Sequence, residues 1–121
     1  MAERDRLRIV IDLDGTILEE RVLDEKHLAK PLPLAVKMVN RIIAEGHEVV
    51  IYTSRPQEMD ALTERQLRGI GIDVNLVGLV MDKPKWDIVI DNRAVRLEDW
   101  GKDWPNISRA MNERMNTPRG L

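Results

Sequence analysis

Two aspartates separated by one residue, in the run Asp12-Leu13-Asp14-Gly15-Thr16, are the groups of this chain best placed to do chemistry. Side chains alternate with period two along a strand, so both carboxylates can share one side at a strand end. Gly15 permits the sharp backbone turn that follows. Two close carboxylates repel, and either a cation sits with them or one holds a proton. An incidental surface turn is the plainer alternative, because Asp-Gly is a common turn pair. The apolar run Leu7-Arg8-Ile9-Val10-Ile11 just ahead argues against it, since it puts the acids beyond a strand.

Other polar groups end apolar runs in the same way. Val49-Val50-Ile51-Tyr52 leads into Thr53-Ser54-Arg55, and Trp86 to Ile90 leads into Asp91-Asn92-Arg93. Lys83 follows a third such run, Asn75 to Met81. Between these runs the apolar residues recur at helical spacing: Ala35, Met38, Val39, Ile42 and Ile43 within Pro33 to Glu45, then Met59, Leu62, Leu67 and Ile70. Pro33 suits a first helical turn and Gly46 a helix stop. A last helix, about 105–116, is expected over Ile107 to Met115 behind Pro105. The alternation predicts an α/β fold, with four strands in a central parallel sheet and helices on both faces. Ligands bind beyond the carboxyl ends of such strands, so the functional groups should gather at one edge.

The chain has 121 residues, enough for the single domain expected over 1–121. It lacks cysteine, which removes disulfides, thiolate metal sites and a thiol nucleophile. Lys+Arg 19 against Asp+Glu 21 leaves a net charge of −2, with no long basic run. Nucleic acid is therefore an unlikely partner, and no segment suits a membrane span or a signal peptide. A cytoplasmic setting is the expectation.

The motifs and their order resemble the haloacid dehalogenase (HAD) superfamily of phosphohydrolases. Asp12, Asp14 and Thr16 match its first motif, and the strand ending at Thr53 matches its second. Lys83 in Lys83-Pro84 matches the third, and Asp91 with Asn92 matches the acidic fourth. Together they span residues 12–92. The run Lys83 to Ala94 is similar to a small, capless branch. The resemblance implies a three-layer Rossmann-like, HAD-like fold without a cap domain.

It also implies roles. Asp12 would attack phosphorus and form an aspartyl-phosphate. Asp14 would protonate the leaving oxygen and then activate water. Thr53 would donate to a phosphoryl oxygen, and Lys83 would pair with the phosphate. Mg²⁺ would be held by Asp12, the backbone carbonyl of Asp14, and Asp91. The fourth motif often carries a second acid where this chain has Asn92, which leaves Asn92 to orient a metal-bound water. Ser54 and Lys85 are runners-up to Thr53 and Lys83. Arg55 and Arg93 are either solvated loop arginines or a clamp for a second anionic group on the substrate.

His27 and His47 fit no catalytic role, the first as a solvated residue and the second at the opposite edge of the sheet. Trp100 and Trp104 are expected to anchor the C-terminal segment, and the helical methionines to pack. Asp14 and Thr53 lie 39 positions apart, and Thr53 and Lys83 lie 30 apart. Neither gap holds a cap, although residues 17–31 form a flap-like segment. An open site of this kind suits a small sugar or nucleotide phosphate enclosed by a homo-oligomer. The alternatives are a macromolecular phosphoester or a non-catalytic binding domain.

Overall fold

A computed structural model describes residues 6–116 of the chain. Three short β-branched runs form strands: β1 (Arg8–Ile11), β2 (Glu48–Tyr52) and β3 (Val77–Val80). They pair in parallel in the order β1-β2-β3. The connections carry α1 (Ala35–Ala44) and α2 (Asp60–Gly69), each preceded by a 3-10 turn at Leu23–Leu28 or Gln57–Met59. A longer helix, α3 (Trp100–Met115), ends the described chain.

The register decides which side chains meet. Ile9, Val49 and Val77 lie side by side, as do Ile11, Ile51 and Leu79. With period two, these two rows share one face of the sheet. They pack with Ala35, Met38, Val39 and Ile42 of α1, with Leu67 and Ile72, and with Trp100 and Met111 of α3 in one apolar core. Each fully buried Leu or Ile in that core contributes about 1.5–3 kcal/mol over an exposed one. The intervening row, Val10, Val50 and Gly78, occupies the other face, and there Val10 stays 58% exposed.

Two expected elements differ. Trp86 to Ile90 is no strand: Ile88 and Ile90 are 81% and 96% exposed, in irregular chain. A β-branched run becomes a strand only where a neighbour completes its hydrogen bonds, and among the described residues no strand pairs with this one. The last helix begins at Trp100 rather than behind Pro105. Its start is fixed by a reciprocal cap. The Asp99 side chain accepts from the Lys102 N–H at 3.0 Å, and Asp103 Oδ2 accepts from the N–H groups of Glu98 and Asp99. Those bonds outweigh the break that a proline inside a helix would otherwise favour.

Trp100 anchors α3 as expected. Its ring lies in the core, and its Nε1–H donates to the Thr16 carbonyl at 2.8 Å, which ties the helix to the Asp12–Thr16 turn. Trp104 is partly buried and lies under the Arg41 guanidinium, 5.1 Å from the ring centre.

The cap makes α3 sensitive to acid. The backbone N–H of Asp99, and then that of Glu98, hold the Asp103 carboxyl below its ordinary range. A carboxyl depressed in the folded state adds stability above its unfolded value, and that stability is lost as pH falls through the folded value. Asp103→Asn should therefore lower the urea midpoint at pH 7. The gap to wild type should close as pH drops below about 4.

Candidate active site

The turn after β1 is drawn tight by one carbonyl. The Leu13 oxygen accepts from the N–H groups of Thr16, Ile17 and Leu18, while Gly15 N–H donates to Leu18 O at 2.7 Å. Gly15 has φ +83°, a conformation that a side chain would strain. Leu13 is fully buried between the two aspartates, so Asp12 and Asp14 flank a core residue.

The loops after β2 and β3 are stitched together beyond the strands. Thr53 N–H donates to Val80 O, Lys83 N–H to Thr53 O, and Asp82 N–H to Arg55 O, each at 2.9 Å. This extension of the ladder carries Lys83 to the end of β1. There its Nζ donates to Asp12 Oδ1 at 2.6 Å, across 71 residues of sequence. The same Nζ lies 5.5 Å from the centre of the Tyr52 ring. Asp12 keeps 44% of its side chain exposed, and its Oδ2 has no protein partner among the described residues.

Asp14 is placed differently. Both of its oxygens are taken by one guanidinium: Arg55 Nε donates to Oδ2 at 3.0 Å and Nη2 to Oδ1 at 2.8 Å. Arg55 Nη1 donates to Thr63 Oγ1 and Gln66 Oε1 on α2. The Thr53 hydroxyl accepts from the Arg55 backbone N–H at 3.2 Å, and Thr53 is itself fully buried. Arg55 is only 2% exposed, so it is neither a solvated loop arginine nor a contact for a substrate's second anionic group. Its charge is spent inside the protein.

The flap-like segment is tied to the same cluster. Lys26, buried in the 3-10 turn Leu23–Leu28, bonds Glu20 Oε1 at 2.9 Å and lies 3.6 Å from Asp14 Oδ2. Gln66 Nε2 donates to the Lys26 carbonyl at 2.6 Å. At its base, Glu19 N–H donates to Lys30 O, and the Glu19 carboxyl is held below its usual range, chiefly by Arg21. Segment 17–31 is thus latched down rather than free. Thr63 and Gln66 lie three apart on one helical face, a spacing that the sequence did show. Nothing local marked Lys26 for burial.

Asp12, Asp14, Thr53, Lys83 and Arg55 therefore converge. Ser54 and Lys85 are exposed. Asp91, Asn92 and Arg93 lie in the exposed chain before α3, where Asp91 Oδ1 accepts from the Arg93 N–H and the Asn92 carbonyl accepts from Arg114. Among the described residues no three His, Cys, Asp or Glu side chains assemble to hold a metal ion. Of the donors implied for Mg²⁺, Asp12 and the backbone of Asp14 share the turn after β1, whereas Asp91 lies in exposed chain with its Oδ1 accepting from the Arg93 N–H. His47 is structural, its Nδ1 accepting from the Leu7 N–H at 3.0 Å, and His27 is exposed. A shallow groove along α3, lined by Trp104, Ser108, Arg109 and Asn112, contains none of the site residues.

Breaking a buried ion pair by removing one partner costs about 3–5 kcal/mol, because the other charge is left unpaired. Arg55→Met and Asp14→Leu should each destabilise by about that much in urea titrations. The double variant should cost well under their sum, with a coupling above about 2 kcal/mol. Additive losses would show that the pair does not hold these loops together.

No protein family, no curated protein and no solved structure matches this chain.

Proposed function

We propose that the protein is a phosphomonoester hydrolase working through an aspartyl-phosphate on Asp12. The observation that carries this reading is the contact between Lys83 Nζ and Asp12 Oδ1, beside a second aspartate whose environment is wholly different. Two carboxylates in unlike surroundings take unlike roles. Asp12 is open to solvent with one oxygen free, which suits a nucleophile. Asp14 is shielded and held in a fixed orientation, which suits proton transfer.

The steps follow from those positions. Asp12 Oδ2 attacks phosphorus as the bond to the leaving oxygen breaks, while Lys83 keeps Oδ1 turned away. Asp14, which must enter the cycle with a proton on Oδ1, gives it to the leaving oxygen. Asp14 then takes a proton from the water that cleaves the acyl phosphate, and phosphate and free Asp12 are released. Thr53, as buried as Arg55, holds the loop by accepting from the Arg55 N–H rather than meeting the phosphoryl group. Lys83 is the cation nearest the incoming charge.

Mg²⁺ belongs to the same proposal: Asp12 and the backbone carbonyl of Asp14 would hold it, and a hard divalent cation would offset the charge of a phosphoryl dianion. The parallel sheet with polar strand ends supports a Rossmann-like, HAD-like domain without a cap, although the expected three layers are not matched, since the helices pack in one core against one face. The openness of Asp12 and the exposed Trp86, Ile88, Val89 and Ile90 support a small sugar or nucleotide phosphate enclosed by a second subunit. No described helix is long and apolar enough to cross a membrane, and a cytoplasmic setting belongs to the same proposal.

Turnover of p-nitrophenyl phosphate with Mg²⁺ tests the reading. Asp12→Asn should lose at least about 10³-fold in kcat while keeping the wild-type urea midpoint, since Asp12 is exposed. An undiminished rate would remove Asp12 as the nucleophile, and a silent wild type would favour a non-catalytic binding domain. EDTA should abolish turnover and Mg²⁺ restore it. Activity that survives EDTA would take the ion out of the reading and leave Asp12 in place.

A further inference from the structure

We propose that Arg55 is the positioning residue of this site: it fixes the plane of the Asp14 carboxylate and leaves Oδ1 as the oxygen that serves the leaving group. The inference rests on the phosphatase reading above. It starts from an asymmetry between the two oxygens. Oδ2 accepts from Arg55 Nε at 3.0 Å and also lies 3.6 Å from Lys26 Nζ. Oδ1 meets only Arg55 Nη2, at 2.8 Å. Each carboxylate oxygen can accept at two lone-pair sites, and with one hydrogen bond, from Arg55 Nη2, Oδ1 keeps a lone pair for a proton.

The guanidinium sets this arrangement because its two donors are rigidly spaced. A bidentate pair fixes the carboxylate plane as well as its distance, whereas an ammonium would fix only the distance. Arg55 is itself held on its far side: Nη1 donates to Thr63 Oγ1 at 3.0 Å and to Gln66 Oε1 at 2.5 Å. Its backbone N–H is bonded to the Thr53 hydroxyl. At 2% exposure it touches no substrate and acts only through Asp14. Gln66 extends the same restraint to the 17–31 segment through the Lys26 carbonyl. Orientation of a proton donor is what such a frame controls, and small misplacements cost catalysis steeply.

Leaving-group dependence separates positioning from mere stability. An alkyl phosphate needs a proton on its departing oxygen, whereas nitrophenolate leaves readily without one. Arg55→Lys keeps a positive charge but loses the fork. It should lower kcat by about 10²-fold for the alkyl phosphate that wild type hydrolyses fastest, but by no more than about threefold for p-nitrophenyl phosphate, with both KM values little changed. Equal losses on the two esters would overturn the proposal, because a smaller folded fraction lowers both alike. If Arg55→Lys does not fold, Gln66→Met replaces it. This variant leaves the contacts to Asp14 intact and removes one far-side restraint, and it should show the same split at about tenfold. An equal decline there overturns the proposal too. So does a wild type active on the aryl ester alone. A wild type silent on both esters removes the phosphatase reading itself, an outcome distinct from the loss of Arg55's role.

Discussion

Arg55 carries a full charge almost completely out of contact with water, a state that costs several kcal/mol unless every donor finds a partner. All of its partners come from other parts of the chain. Asp14 is supplied by the turn after β1, and Thr63 and Gln66 by α2. The guanidinium can be buried only when those elements are in place, and they can stay in place only if it is. Gln66 passes the constraint on to Lys26, which brings in the 3-10 turn Leu23–Leu28. The arrangement at the carboxyl ends of the strands thus follows from one buried ion pair more than from the small sheet beneath it.

This constraint also sets the two aspartates in different surroundings. A single residue separates them, and their surroundings have almost nothing in common. Asp14 falls on the side of the turn that meets α2 and loses both oxygens to the guanidinium. Asp12 falls on the side that meets the loop after β3, where Lys83 reaches it. The stitching of Thr53, Lys83 and Asp82 beyond β2 and β3 supplies that lysine. The difference in their surroundings therefore arises from local packing and not from any difference in residue type.

Much of this was legible in the sequence. The runs ending at Ile11, Tyr52 and Met81 are β-branched and bounded by polar residues, and strands form there within a residue or two of expectation. The convergence of Asp12, Thr53 and Lys83 follows from the rule that parallel strands bring their carboxyl ends together. What the sequence hid was mostly long-range. Arg55 looked like any loop arginine, because its burial depends on an aspartate 41 positions away. The α3 start was misplaced because Pro105 is a strong local signal, whereas the cap between Asp99 and Asp103 takes two residues acting together. Ile88-Val89-Ile90 carries as good a strand signal as Ile9-Val10-Ile11, but pairing also needs a neighbour, which composition does not record.

That last failure bears on the site. Only one side of β1 is paired among the described residues, so Asp12 stands at the end of an edge strand rather than in the middle of a sheet. The exposure of Asp12 and of Val10 follows directly from this position. An edge strand offers unpaired backbone groups, and proteins usually cover or blunt such edges. Here the apolar run 86–90 begins three residues beyond Lys83, the group that already bonds Asp12, and its own side chains face solvent. The Asp14 side of the site is closed by charge and hydrogen bonding, while the Asp12 side stays open because apolar burial has not reached it. Under the proposed phosphatase reading, the site would be rigid where a proton is aimed and accessible where a substrate enters.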